Sequence, residues 1–253
     1  MLSHEERHML RKHQVAEVIC QFRFPEILMI NAAAPAQFQE AIRDMFPQYC
    51  VNKEKILNDN QCDPTYINNY RFSTIDGSWH VNLTSGFISL SCTNYSGWDN
   101  FAKMLDKPLA AFIQIYKPAY FSRIGLRYLN FISRRNLDLE GTPFNELISS
   151  CYLGPLAEDD IPDAAVTQCT INTQITLRNG CNLKVHAGPG LIKRNTIASN
   201  ETHFIFDQDL FVKGNLPIST ATNAISTLHR QAYSVFRGAI TDKLFYAMDP
   251  EDI

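Results

Sequence analysis

The strongest structural signal in the chain is a run near its middle, Tyr120-Phe121-Ser122-Arg123-Ile124-Gly125-Leu126-Arg127-Tyr128-Leu129-Asn130-Phe131-Ile132. Aromatic, aliphatic and β-branched side chains dominate it and Pro118 stands just before it, so it predicts a long strand. A period of two puts Ile124, Leu126 and Tyr128 on one face and Arg123, Gly125, Arg127, Leu129 and Phe131 on the other. Two arginines thus flank a glycine on a face that ends apolar.

Two dipeptides organise what lies on either side. Asp76-Gly77 separates a strand over Tyr66 to Ile75 from one in which Trp79, Val81 and Leu83 alternate with His80, Asn82 and Thr84. Asn179-Gly180 separates Thr167 to Leu177 from Asn182 to Ala187. Both read as hairpin turns whose central positions need positive φ. Further strands are expected over Val15 to Phe24, ended by Pro25, over Phe87 to Thr93 and over Glu201 to Val212.

Helical periodicity appears between these strands. Ala34 to Phe46 carries Phe38, Ala41, Ile42 and Met45 on one stripe, with Pro35 suited to a first turn. A helix after Ser96, its candidate cap, buries Phe101, Leu105, Leu109, Phe112, Ile113 and Tyr116, and Pro108 should kink it. A second long helix, capped by Ser219, has the stripe Ala221, Ala224, Ile225, Leu228, Ala232, Val235 and Phe236. A short last helix starts at Thr241 or Asp242 and runs to Met248. Residues 1 to 13 read as a frayed helix or an arm, residues 48 to 64 as irregular, 143 to 151 as a short helix, and Glu158, Asp159, Asp160 and Asp163 as a solvated acidic loop.

The two halves match in order. Each has a strand, a helical segment, several antiparallel strands with an Asp-Gly or Asn-Gly turn, and a long amphipathic helix. This predicts an internal duplication over 14–117 and 118–247, fused into one globular domain. The fold class expected is α+β, a curved antiparallel sheet with long helices on one face. That element order is similar to TATA-binding-protein-like folds, a likeness of order that says nothing about DNA.

Composition narrows the function classes. A net charge of -3 over 253 residues carries no basic excess of the kind a general nucleic-acid binder shows. The seven scattered cysteines form no C-x-x-C pair and no signal peptide precedes the first strand, so a reduced cytoplasmic protein is expected. No apolar run approaches the roughly 18 residues that span a bilayer, so no membrane partner is expected.

Chemistry is sparse. Arg123 and Arg127 are placed to bind a phosphate or carboxylate, with Gly125 giving clearance and Arg71 and Arg23 joining from neighbouring strands. The alternative is a set of structural ion pairs with Glu17, Asp76 or helix termini. His229 beside the apolar stripe of the second long helix suits a general base oriented by Asp242, or a hydrogen-bonded histidine at the core edge. Gly188-Pro189-Gly190 with Lys193 and Arg194 is a ligand-touching loop or a plain turn, without the G-x-x-x-x-G-K-[ST] pattern. Cys151, Cys169, Cys181 and His186 lack paired ligand spacing, so no metal and no cofactor are expected. The chain holds no G-x-S-x-G.

Four stretches carry a resemblance. They are Val15 to Phe24 (V-A-E-V-I-C-Q-F-R-F), Tyr70-Arg71-Phe72-Ser73 with Tyr95 to Phe101 (Y-S-G-W-D-N-F), Arg123 to Asn130 (R-I-G-L-R-Y-L-N), and Leu228 to Tyr233 (L-H-R-Q-A-Y) with Val235-Phe236 and Thr241-Asp242-Lys243. Together they resemble an uncharacterised family found sporadically across bacteria, marked by an R-I-G-L-R-Y-x-N strand and an L-H-x-x-A-Y helix. The resemblance implies no established enzymatic activity. The scattered distribution implies horizontal transfer, and with it phage defence, toxin neutralisation or mobile-element biology. The first expectation is therefore a non-catalytic, protein-binding accessory, sensor or neutralising subunit whose partner is encoded nearby. The alternatives are a nucleic-acid or nucleotide binder using the face of Arg123, Arg127 and Arg71, and an enzyme built on His229 and Asp242.

Overall fold

The computed structural model describes residues 2–252 other than 4, 57–64, 178, 195 and 196. In chain order it contains β1 (His8–Leu10), β2 (Val15–Arg23), α1 (Leu28–Ala32), α2 (Ala36–Ile42), β3 (Gln48–Ile56), β4 (Thr65–Ser73), β5 (Trp79–Leu83), β6 (Phe87–Cys92), α3 (Trp98–Tyr116) and β7 (Phe121–Ile132). A series of 3-10 turns leads on to β8 (Ile171–Thr176), β9 (Asn182–Arg194), β10 (Ile197–Leu216), α4 (Ala221–Ala239), α5 (Asp242–Ala247) and β11 (Pro250–Asp252). The class is α+β with a large antiparallel sheet, of strand order β3-β4-β5-β6-β2-β7-β10-β9-β8, and a separate pair β1-β11. Among the described residues no helix is long and apolar enough to cross a membrane.

The chain forms two compact units. Unit I comprises Met1–Ala16, Arg127–Leu210 and Ser226–Ile253; unit II comprises Glu17–Leu126 and Phe211–Ile225.

In unit II the Asp76-Gly77 signal marks the β4–β5 hairpin. Only Gly77 takes positive φ, at 68°, and the loop is longer than the two-residue turn expected. The Asp76 carboxylate organises it, accepting from Thr74 Oγ1 at 2.5 Å and Ser78 Oγ at 2.6 Å, and these bonds hold its carboxyl down at about 2. One sheet face is apolar and carries Cys20, Phe22, Phe72, Val81, Leu83 and Leu90, all buried. α3 supplies Phe101, Leu105, Leu109 and Phe112 to the core as its stripe predicts. Phe101 meets Trp79 at 5.7 Å, Phe112 meets Phe24 at 4.6 Å, and Phe38 of α2 meets Phe72 at 5.4 Å. Burial of each such side chain contributes roughly 1.5–3 kcal/mol. Pro108 does not interrupt α3, which runs from Trp98 to Tyr116. Gly97 rather than Ser96 stands at its start, and Ser96 instead accepts from Asn100 Nδ2.

The stretch from residue 48, expected to be irregular, contains a strand. β3 pairs with β4 from Gln48 opposite Ser73 to Ile56 opposite Thr65. It is the outermost strand of the sheet, and edge strands carry the Lys, Glu and Asn content that mimics a loop. The remainder of that stretch, 57–64, lies outside the described residues.

In unit I, Tyr128, Asn130 and Ile132 of β7 share a buried face, as alternation predicts. Phe204 and Phe206 of β10 are fully buried. The short helix expected over 143–151 is instead two 3-10 turns, Phe144–Glu146 and Ser150–Tyr152. Their Phe144 and Tyr152 pack on Phe204 at 5.4 Å and Phe206 at 5.1 Å. α4 begins at Ala221 after a 3-10 turn that contains Ser219, so Ser219 is not its cap. Thr241 does cap α5, accepting from Leu244 N.

The N-terminal arm is neither a helix nor frayed. Ser3 N donates to Ser234 O, Tyr233 Oη donates to Glu6 O, and β1 pairs with β11 from His8 opposite Asp252 to Leu10 opposite Pro250. The arm is an extended strap along α4, and its charged residues serve that attachment. Arg11, for instance, pairs with Glu251 and Asp249.

Candidate functional site

The open face of β7 alternates as expected, but each of its arginines has an internal task. Arg123, in unit II, folds back along its own strand. A Cβ on Gly125 would lie 2.3 Å from Arg123 Nη1 and 2.7 Å from Cζ. Gly125 therefore gives clearance to the neighbouring guanidinium rather than to a ligand. Arg123 Nη1 donates to Gln21 Oε1 at 3.3 Å, and the guanidinium lies 4.5 Å from the centre of the Phe211 ring. Arg127, in unit I, makes a forked pair with Asp207, from Nε to Oδ1 at 2.7 Å and Nη2 to Oδ2 at 2.5 Å. The guanidiniums of Arg123 and Arg127 are thus engaged from within, by amide, ring and carboxylate partners on neighbouring strands.

His229 is 8% exposed and has both ring nitrogens engaged. Arg7 Nη2 lies 2.9 Å from Nε2, and Tyr128 Oη lies 2.8 Å from Nδ1. A guanidinium only donates, so Nε2 accepts and the ring proton sits on Nδ1, facing the tyrosine oxygen. Burial, and then the Arg7 charge, push the His229 pKa down to about 3. Asp242 does not orient this ring. Its carboxylate accepts from Arg237 Nη2 at 2.5 Å, and the Arg237 guanidinium also lies 2.7 Å from Glu5 Oε2 and over the Phe245 ring at 4.3 Å. The dyad read from the sequence does not form.

The residues behind the resemblance meet in this network. Tyr128 comes from the R-I-G-L-R-Y-x-N strand and His229 from the L-H-x-x-A-Y helix. In the same strand Asn130, 3% exposed, donates to Phe206 O at 3.1 Å.

Arg71 stands apart. It lies on β4 of unit II, half-buried, opposite Cys50 on one side and Asn82 on the other. Next along the same face Ser73 is paired with His80, and Ser73 Oγ lies 2.8 Å from His80 Nδ1. Burial, and then the Arg71 charge, lower the His80 pKa, with Asp76 opposing. Ser73, His80 and Asn82 were not identified from the sequence, although a signal existed. The Asp76-Gly77 turn sets a register that brings Ser73 to His80 and Arg71 to Asn82. Arg23 is exposed and donates from Nε to Gln21 Oε1 at 2.8 Å.

The niche lined by Phe22, Val81, Leu90, Leu105 and Leu109 is too tight for a water molecule. Gly188 approaches Cys169 O so closely that a Cβ would lie 2.2 Å from it, which makes that glycine a packing residue; the side chains of Lys193 and Arg194 lie outside the described residues. Among the described residues no group of three or more His, Cys, Asp or Glu is placed to hold a metal ion, and six cysteines are free thiols, Cys62 lying outside them. No protein-family model matches the chain, and a search of curated proteins finds no match.

Proposed function

We propose that the chain is a non-catalytic binding protein that docks another protein, acting as an accessory, sensor or neutralising subunit of a bacterial defence or toxin-type system. The supporting observation is the closed Tyr128–His229–Arg7 network. The two stretches most characteristic of the resembled family spend their polar groups on each other and on the N-terminal strap, so their role is to hold a shape. A general base needs an accessible lone pair near its working pH, and His229 has neither.

The element order supports an internal duplication behind that shape. Each half places a 19-residue helix, α3 or α4, after its antiparallel strands, the order shared with TATA-binding-protein-like folds.

The test is co-expression with the products of the adjacent genes, followed by size-exclusion chromatography with light scattering. A stoichiometric complex that survives His229→Gln is expected. Elution of the chain alone in the presence of every neighbouring product overturns the reading.

A further inference from the structure

We propose that Arg71, Asn82, Ser73 and His80, on the sheet of unit II, form a binding site for a phosphate group. Arg71 is half-buried, yet no described Asp or Glu lies within ion-pair distance of it. Its neighbours on that face are neutral: Cys50 and Asn82 in the paired strands, and Asn69 and Ser73 along its own. The guanidinium also repels a proton on His80, one strand over. Of the other three arginines read from the sequence, Arg127 has a carboxylate fork, Arg123 has an amide and an aromatic ring, and Arg23 is exposed and bonded to an amide.

A partly desolvated guanidinium is stabilised by an anion, and this one is set among donors. Arg71 presents a fork of N–H groups and Asn82 an amide NH2, while the Ser73 hydroxyl is spent on His80 Nδ1 and orients that ring. A neutral His80 that accepts from Ser73 at Nδ1 carries its proton on Nε2. A carboxylate has two oxygens to offer such a set, and a phosphate has more, so the donor count favours phosphate. Arg71, His80 and Asn82 are each partly open to solvent, so the site is reachable. The inference is independent of protein docking: failure to bind phosphate leaves the docking reading intact, and failure to dock leaves this one intact.

The experiment is calorimetric titration of the full chain with inorganic phosphate, AMP and a short single-stranded oligothymidylate, at constant ionic strength set with chloride. Saturable binding of at least one probe is expected, and Arg71→Gln should weaken it at least 10-fold. Phosphate or AMP binding without the oligonucleotide assigns the site to a terminal phosphate; tighter oligonucleotide binding assigns it to a phosphodiester backbone. Asn82→Asp guards against loss of fold, because it places a carboxylate directly across from Arg71. It should weaken binding at least 10-fold while leaving the melting temperature equal or higher. In the wild type, the bound anion should offset Arg71 and raise the His80 pKa in an NMR titration, which a purely structural arginine would not do. No binding of any probe, binding unchanged in Arg71→Gln, or displacement by chloride as effective as by phosphate overturns the proposal.

Discussion

Two histidines, one in each unit, both have pKa values below the ordinary 6.5, and they differ in what their nitrogens can still do. His229 of unit I is buried, with a tyrosine on one nitrogen and an arginine on the other. His80 of unit II is half-buried, with a serine on one nitrogen, and its nearest cation is an arginine without a carboxylate. A polar group whose bonding is complete inside the protein specifies the fold. One whose bonding is incomplete at a reachable surface is where a ligand can add free energy. The contrast separates the two regions by chemistry, although both read alike in the sequence as His and Arg near strands and helix stripes.

The largest expected effect breaks the contrast from the unit I side. Burial keeps the folded His229 ring neutral down to about 3, while the unfolded ring takes up its proton near 6.5. The unfolded state therefore binds more protons between these values, and stability falls as pH drops through that window. The loss is of order 4 kcal/mol at the bottom of the window if the whole shift is realised. His229→Gln should flatten this dependence in urea titrations run from pH 7 to pH 4. A variant with the same pH slope as the wild type would mean that His229 is not sealed in solution.

A smaller effect compares the arginines. Arg127→Ala leaves the Asp207 carboxylate, 15% exposed, without its fork, and should destabilise by about 1–2 kcal/mol. Arg71→Ala removes no ion pair and should stay within about 0.5 kcal/mol of the wild type in phosphate-free buffer. If the two costs are equal, Arg71 has a structural partner in solution and the distinction between the regions is lost.

Much of this architecture is legible in local chemistry, and the misses have one cause. The alternation of β7, the stripes of α3 and α4 and the loops at Asp76-Gly77 and Asn179-Gly180 depend on residues within a few positions of one another. β3 and the N-terminal strap do not. Lys53 sits in a strand because β4 offers a partner, and Arg7 is held by the hydrogen bond it donates to His229. Arg127 and Asp207, or Arg237 and Asp242 with Glu5, pair through tertiary register, which period-2 and period-3.6 arguments do not carry. Arg71 opposite Asn82 differs, since a local hairpin turn sets that pairing, although the sequence reading did not draw it.

The smallest effect tests the remaining arginine, whose glycine was first read as room for a ligand. In Gly125→Ala the new methyl would occupy the space of the Arg123 guanidinium, 2.3 Å from Nη1. That guanidinium ends a flexible side chain, so it can swing away, at the cost of its position over Phe211. The expected loss is about 0.5–1 kcal/mol, the size of an exposed cation–π contact. In an Arg123→Met background the same Gly125→Ala change has no guanidinium to displace, and its cost should shrink toward zero or reverse, because alanine suits a strand better than glycine. The double-mutant cycle then gives a coupling of at least about 0.5 kcal/mol between two residues on one strand. A coupling of zero would mean that Arg123 does not lie over Gly125 in solution, and the glycine would again be available as the floor of an anion site.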